Sequence, residues 1–398
     1  MPLFTIILIV IALIIFTLLT LPKVRQHELW RATVTPLASI IGSGFLIAAP
    51  LLNDLSGPYA VWVMIGLCVF SYLVGQVIRW NIVAVEPLVS KKNNIHLLTV
   101  ERFSDIALTF AYVLSVTYYL YLFSSFINRV LPFDYPYLTQ IITTAVLLCI
   151  ALFGYLKGFR LLEKIEVLAV HIKLSIVTVF LLALFVFNLD HVAPVSETFQ
   201  FDPKHIPMML GLLIMVQGFE TSRYLGKEYS APTRVKSMQY AQWLSTIIYI
   251  LFIMLFSLVF ELHPLSGQIT DTSVIDVAQY VFVGAPIFLL IAAITSQLSA
   301  ALADFSGNGG LVNELSGHHI PVKIAYLLIT VTCLVLVWSF DIFEIINLAS
   351  KGFAIYYFLQ CISAMVVQYQ RHWLKFAFSF AVAVLCLVVI IFAKPFEG

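Results

Sequence analysis

Thr35-Pro-Leu-Ala-Ser-Ile-Ile-Gly-Ser-Gly-Phe-Leu-Ile-Ala-Ala-Pro50 is the stretch that decides the fold. It is apolar enough for a bilayer, yet it carries Gly42-Ser43-Gly44 at its centre and a proline near each end. A glycine inside a helix costs about 1 kcal/mol against alanine, and two around a serine invite unwinding. Unwound backbone at membrane depth is tolerated only where protein packs on it or where it lines a cavity. The stretch therefore reads as a broken membrane helix, which in a transporter points to the substrate site. The alternative is a Gly-Ser surface for helix packing.

Composition fixes the setting. Of 398 residues, 61% are apolar and 11% charged, and the mean hydropathy is +0.99. Soluble domains carry roughly 25% charged residues. The chain reads as a polytopic α-helical membrane protein, and its net charge of +1 gives no reason to expect nucleic acid. Cys68, Cys149, Cys333, Cys361 and Cys386 lie in apolar segments without CxxC spacing, so they read as small buried hydrophobes.

Twelve hydrophobic segments follow one another: 3–21, 33–54, 58–85, 103–131, 137–157, 163–188, 206–227, 235–262, 276–305, 321–339, 341–368 and 373–393. Each is long enough for about 30 Å of hydrocarbon. The first has no basic residues ahead of it and no Ala-x-Ala site after it, so it reads as a retained helix rather than a signal peptide. Of the 22 Lys and Arg, alternation puts Arg129, Lys204 and Lys394 outside. Lys173 and Lys351 fall within membrane segments, and the other 17 lie inside. The positive-inside rule then places both termini outside. The longest connections, 86–102, 189–205 and 306–320, are too short for a soluble domain. His318 and His319 in the last have no third ligand at metal spacing, and Gly307-Asn-Gly-Gly marks it as a polar loop.

A second interruption stands in Ile206-Pro-Met-Met-Leu-Gly-Leu-Leu-Ile-Met-Val-Gln217-Gly218-Phe219-Glu220. A charge at the bilayer centre costs a few kcal/mol, so Glu220 is expected to face a cavity or a partner. If the helix simply ends near Gln217, Glu220 lies instead in the cytoplasmic interface. The two breaks are five spans apart. An odd number of spans reverses orientation, so two five-span units would form an inverted repeat. The expected divisions are 1–30 (an additional N-terminal helix and basic linker), 31–190 and 191–370 (the two repeats), and 371–398 (a C-terminal helix).

Broken helices also supply chemistry. A half-helix starting near Phe45 offers the N–H groups of Ser43, Gly44 and Phe45, which with the positive helix end suit a carboxylate. Half-helices ending near Ile41 and Val216 offer free carbonyls, which suit an ammonium group or a cation. A zwitterion fits both.

These residues resemble the amino acid–polyamine–organocation (APC) superfamily of secondary transporters, with the LeuT-like fold. Ile41-Gly-Ser-Gly44 looks like that family's first core helix. Gly218-Phe-Glu-Thr-Ser-Arg-Tyr-Leu-Gly-Lys-Glu228-Tyr-Ser-Ala-Pro232-Thr-Arg234 looks like its sixth and is the most specific match. Asn308 to Pro321 is similar to the cytoplasmic turn after the eighth helix, and Asp341 to Ser350 with Tyr356 resembles the tenth. The likeness covers roughly 33–393. Departures from the family pattern are Ile214, where an aromatic gate often stands, Gln217 before the glycine, and Gly307-Asn-Gly-Gly in place of a basic residue.

The resemblance implies alternating access, a small-molecule substrate and no cofactor or covalent catalysis. It also implies a role for Lys173, which must pair, snorkel or lose its proton at membrane depth. In proton-coupled members a fifth-helix lysine replaces the sodium ion held between the first and eighth core helices, and Lys173 resembles that lysine. A structural ion pair is the alternative. A weaker sodium reading uses Thr295, Ser296 and Ser299. The implied substrate site comprises Ile41, Gly42, Ser43, Gly44, Phe45, Ile214, Gln217, Gly218, Glu220 and Lys351, with Glu220 also in coupling. Tyr112, Tyr118, Tyr119 and Tyr121 crowd the third core helix, and spacing does not choose among them. The reading is thus a proton-coupled carrier of amino acids or related zwitterions in a bacterial inner membrane. Its alternative is a carrier of an inorganic cation or another solute in the same fold. A membrane-embedded enzyme is disfavoured, because His171 is the only histidine deep in a span and no acid evidently faces it. A sensor relative is a further alternative, but no soluble output domain is present to signal through. Oligomeric state is not encoded in any stretch.

Overall fold

The computed structural model describes residues 2–42, 44–91, 94–132, 135–157, 159–192, 201–265, 268–369 and 372–397. Among these residues it contains helices and no strands. The principal helices are α1 (Pro2–Thr20), α2 (Glu28–Ile40), α3 (Gly44–Ser56), α4 (Ala60–Ala84), α5 (Ile95–Asn128), α6 (Leu138–Lys157), α7 (Phe159–Asp190), α8 (Ile206–Leu210), α9 (Ala231–Leu262), α10 (Ala285–Leu315), α11 (Val322–Ser339), α12 (Ile342–Gln368) and α13 (Trp373–Phe392).

Ten helical stretches among the described residues are long and apolar enough to cross a membrane. One of them runs through Glu28–Ser90. It holds α2, α3 and α4 and therefore makes two crossings. Segment 206–224 is too broken to count as a long helix, but it lies largely buried in the bundle and corresponds to the seventh hydrophobic segment. The twelve hydrophobic segments are thereby all placed.

The core is built around α5, which packs along α10 and α12; α7 packs on the other side of α10, and α13 packs along α12. Local signals set several helix starts. The Asn94 side chain accepts from Leu97 N and caps α5. Asp341 caps α12 in a reciprocal pair with Glu344. Helix α1 touches the bundle along a narrow face through Leu8 and the edge contact of Phe4 with Phe282. Ile11, Ala12, Ile15 and Leu19 pack partly against the core, and most of the remaining apolar residues of α1 are exposed, as a lipid-facing helix requires.

Three expectations are corrected. Gly307-Asn-Gly-Gly is not a loop, because α10 continues to Leu315. Asn308 is buried and donates to the Thr109 carbonyl at 3.0 Å, and Gly309 lies against the Tyr326 ring, which itself stacks on Phe305. Packing outweighs the low helix propensity of these glycines. The turn comes afterwards, where His318 and His319 bond locally to Asn313 and Ser316. Cys149 is exposed on α6, whereas Cys68, Cys333, Cys361 and Cys386 are buried. The third correction concerns segment 206–224. Only α8 is α-helical there, followed by 3₁₀ turns at Leu213–Val216 and Phe219–Tyr224.

Candidate functional site

The first break lies where expected. Helix α2 ends at Ile40, and α3 begins at Gly44. Ser43 lies outside the described residues. At the second break Gln217 is extended and Gly218 has φ +113°, a left-handed region that side chains with a Cβ avoid.

The two breaks pack directly on each other. A Cβ on Gly44 would lie 2.7 Å from the Met215 Cα, and one on Gly218 would lie 2.7 Å from the Ile40 backbone nitrogen. Glycine is required at both places, for close approach at Gly44 and for approach and conformation at Gly218. Gly42 faces Tyr119 in the same way. This selects Tyr119 among the four tyrosines of α5 as the one at the breaks.

Carbonyls expected to be free are already engaged. The Lys173 ammonium, on α7, donates to Ala38 O at 2.8 Å, to Ile41 O at 2.6 Å and to Ser299 Oγ at 3.1 Å. Ser296 Oγ donates to Ile41 O at 2.6 Å and Gly42 O at 2.7 Å. Tyr249 OH reaches Ile40 O and Met215 O, and Ser71 Oγ reaches Val216 O. A helix end buried at this depth must have its last carbonyls satisfied, and side chains of neighbouring helices do this. Lys173 is completely buried and forms no ion pair among the described residues. Thr295 does not join the cluster, because its hydroxyl turns back to Ile291 O.

Polar groups remain on the other side of the breaks. Glu220 is fully buried rather than interfacial. Its Oε2 accepts from Gly218 N and from Tyr357 OH, both at 3.0 Å, while Oε1 has no partner among the described residues. Gln217 Nε2 donates to Tyr119 OH at 2.9 Å, and its Oε1 is likewise buried without a partner among the described residues. Tyr119 OH in turn donates to Ser39 O. Gly44 and Phe45 lie in the first turn of α3, where backbone N–H groups have no acceptor within the helix. The Phe45 ring packs away from the break, edge-on to Phe252. Ile214 is buried, and its N–H donates to Ser350 Oγ at 2.9 Å.

Lys351 is not brought to the breaks. It is half-buried and has no hydrogen bond or ion pair among the described residues. Six residues separate it from Tyr357, which places them about 120° apart around α12. Tyr357 faces Glu220, so Lys351 faces elsewhere.

Two features escaped the sequence reading. The first is Asp304 of α10, which is fully buried and takes hydrogen bonds from Ser39 at 2.9 Å and from Ser115. A lone acid inside an apolar segment was the available signal. The second is a buried ionic network below the breaks. Arg223 pairs with Glu101 at 2.5 Å and approaches Glu86 at 3.6 Å. Arg234 clamps Glu86 with contacts of 2.9 and 2.7 Å, and Gln360 of α12 bonds both Arg223 and Asn81. In the sequence both arginines stand among the 17 basic residues on the inside. The network ties segment 219–224 to α5, α9, α12 and the chain after α4.

Comparison with known proteins matches residues 22–393 to the family model described as an APC superfamily transporter. The chain belongs to the APC superfamily of transporters. The matched region begins after α1. An uncharacterized protein of Aquifex aeolicus (strain VF5) is 41% identical over 379 residues, covering 94% of this chain and 92% of that protein. Among solved structures, a Na+-coupled sialic acid symporter in a substrate-bound outward-open state superposes with TM-score 0.56. The alignment covers 100% of this chain and 98% of that one at 11% identity. The shared architecture is the LeuT-like fold. The transporter is an integral, multi-pass membrane protein.

Proposed function

We propose that this transporter moves amino acids or related small zwitterions by alternating access, coupled to protons through Lys173. The observation that carries the coupling is the seat of the Lys173 ammonium on Ala38 O, Ile41 O and Ser299 Oγ. It joins the end of α2 to α10. A cation bound at that place would use the same oxygens, so a sodium ion and the ammonium exclude each other. Loss of the lysine proton removes the charge from the α2 carbonyls and loosens the junction, which is the event a coupled carrier requires. The sialic acid symporter of the same fold is Na+-coupled. Here Ser296 and Ser299 are engaged with backbone and with Lys173.

The substrate class is inferred from the first-turn N–H groups of α3 and from side-chain acceptors without a partner among the described residues. The N–H groups of Gly44 and Phe45, at the positive end of α3, suit a carboxylate. The buried Oε1 atoms of Gln217 and Glu220 are acceptors without donors and suit an ammonium group. Ser43 is expected to join the carboxylate side. An inorganic cation uses only the acceptors and leaves the helix end idle, so the zwitterion is preferred. The loop charges favour both termini outside, in a bacterial inner membrane.

The experiment is uptake into proteoliposomes under an inward proton gradient without sodium, using a panel of labelled amino acids and amines. Accumulation of an amino acid that Lys173→Ala uncouples supports the reading. Failure of every panel member, with and without sodium, refutes it and turns attention to inorganic cations.

A further inference from the structure

Asp304 has no place in the reading so far. It lies five residues beyond Ser299 on α10, about 7.5 Å along the axis. Its Oδ1 accepts from Ser39 Oγ at 2.9 Å, and its Oδ2 accepts from Ser115 Oγ. No lysine, arginine or histidine pairs with it among the described residues. An ionised carboxylate buried without a cation is costly, and in a membrane span such a group marks an ion or proton path.

The two serines suit both charge states. Ionised, the carboxylate accepts from both hydroxyls. Protonated, it donates from Oδ2 to Ser115 Oγ while Oδ1 still accepts from Ser39. Ser115 then turns its own hydrogen to the Tyr112 carbonyl, 3.3 Å away. Neither state strands a buried polar atom. A metal cation is served less well, because both hydroxyls already direct their hydrogens at the carboxylate.

The surroundings connect the acid to the breaks. The titratable groups around it are Tyr112 and Tyr119 of α5 and Glu220 of the second break. Lys173 of α7 bonds Ser299, five residues earlier on α10, and Tyr326 of α11 stacks on the neighbouring Phe305. From α2 the contact is the neutral Ser39. That serine belongs to the last turn of α2, whose Ala38 and Ile41 carbonyls hold Lys173. Acid and ammonium therefore grip one helix end from two sides.

We propose that Asp304 is a second proton-binding site, whose carboxyl gains and loses a proton as Ser39 and the end of α2 are released and recaptured. Its place in a transport cycle rests on the proton-coupled reading above, but its protonation does not. The test is infrared difference spectroscopy of the full chain in liposomes, between acidic and alkaline buffer, without substrate. A protonated-carboxyl carbonyl band is expected on the acid side. It should vanish in Asp304→Asn, persist in Glu220→Gln, and move to higher frequency in Ser39→Ala, which removes the hydrogen bond to Oδ1. If Asp304→Asn cannot be purified, the Ser39→Ala shift decides, and a band that stays in place overturns the proposal. So does a spectrum without a pH-dependent band, a band indifferent to Asp304→Asn, or one displaced by sodium rather than by pH. No substrate is needed, so these outcomes are separate from the uptake assay.

Discussion

The Lys173 ammonium lies 2.6 Å from the Ile41 carbonyl oxygen, 132 residues away in sequence, and holds the end of α2 where the first helix breaks. Removing it leaves two buried carbonyls, of Ala38 and Ile41, short of a charged donor. Hydrogen bonds to charged groups contribute about 1.5–3 kcal/mol, and the stranded Ala38 acceptor adds to the loss, whereas Ile41 O keeps its bond from Ser296 Oγ. Lys173→Met is expected to lower the unfolding temperature and to abolish gradient-driven accumulation while substrate exchange persists. Counterflow measured beside net uptake checks this. Equal loss of both would assign Lys173 a structural role only.

Gly218 adopts φ +113° against Ile40 and Ser39. Gly218→Ala adds backbone strain of about 1–3 kcal/mol and a steric overlap at Ser39. The variant is expected to be less stable and inactive. Gly66, with nothing within 4 Å of its Cβ position, provides the control, and Gly66→Ala should leave uptake within twofold. Thermal unfolding in detergent and uptake are the readouts.

Tyr119 joins Gln217 to Ser39 through one hydroxyl. Tyr119→Phe removes both bonds with little change in volume. A buried bond contributes about 1 kcal/mol net, so substrate affinity should weaken by roughly fivefold to thirtyfold while the protein stays folded. Tyr121→Phe should change nothing. Affinity from scintillation proximity binding distinguishes the two.

Arg223 and Glu101 form a buried pair below the breaks. Removing one partner of such a pair costs about 3–5 kcal/mol, because the other charge is left behind. Arg223→Ala should destabilise more than the double variant Arg223→Met/Glu101→Leu. A double variant no better than the single one in thermal unfolding would show that the pair is not energetically isolated from Glu86.

Replacing the Glu220 carboxylate by an amide tests the substrate side. Glu220→Gln still accepts from Gly218 N and Tyr357 OH through its carbonyl, so stability should change little. Affinity for a zwitterion should fall more than affinity for the corresponding carboxylic acid without its amino group. Competition by the two ligands measures this directly, and equal losses would remove Glu220 from the ammonium side.

Much of the fold was legible because it rests on local signals. Segment length, loop charge and the glycine-interrupted stretches are properties of the chain itself, and both breaks fall at the predicted residues. Lys173 was legible for a related reason, since a lysine in an apolar run has few ways to be accommodated. What was hidden depends on partners far away in sequence. Gly307-Asn-Gly-Gly reads as a loop until Thr109 and Tyr326 are packed on it. Lys351 reads as cavity-facing until the rotation of α12 is fixed by Tyr357. The carbonyls of Ile41 and Val216 look free until Ser296 and Ser71, on other helices, are placed. Asp304 needed Ser39 and Ser115, one from each of two further helices, before its burial made sense.

The contacts of Gly44 with Met215 and of Gly218 with Ile40 have a mechanical consequence. Each broken helix rests a bare backbone surface on the other, at two points with no slack between them. Two bodies meshed at two points resist rotation past one another, so α2 and α3 are expected to travel with 206–224 as one lever. On the alternating-access reading, opening either face of the membrane would swing that lever against α5, α10 and α12. On the proton-coupled reading, a change at Lys173 on one arm would reach Glu220 on the other through this backbone contact and through the hydroxyl bridges of Tyr119 and Tyr249.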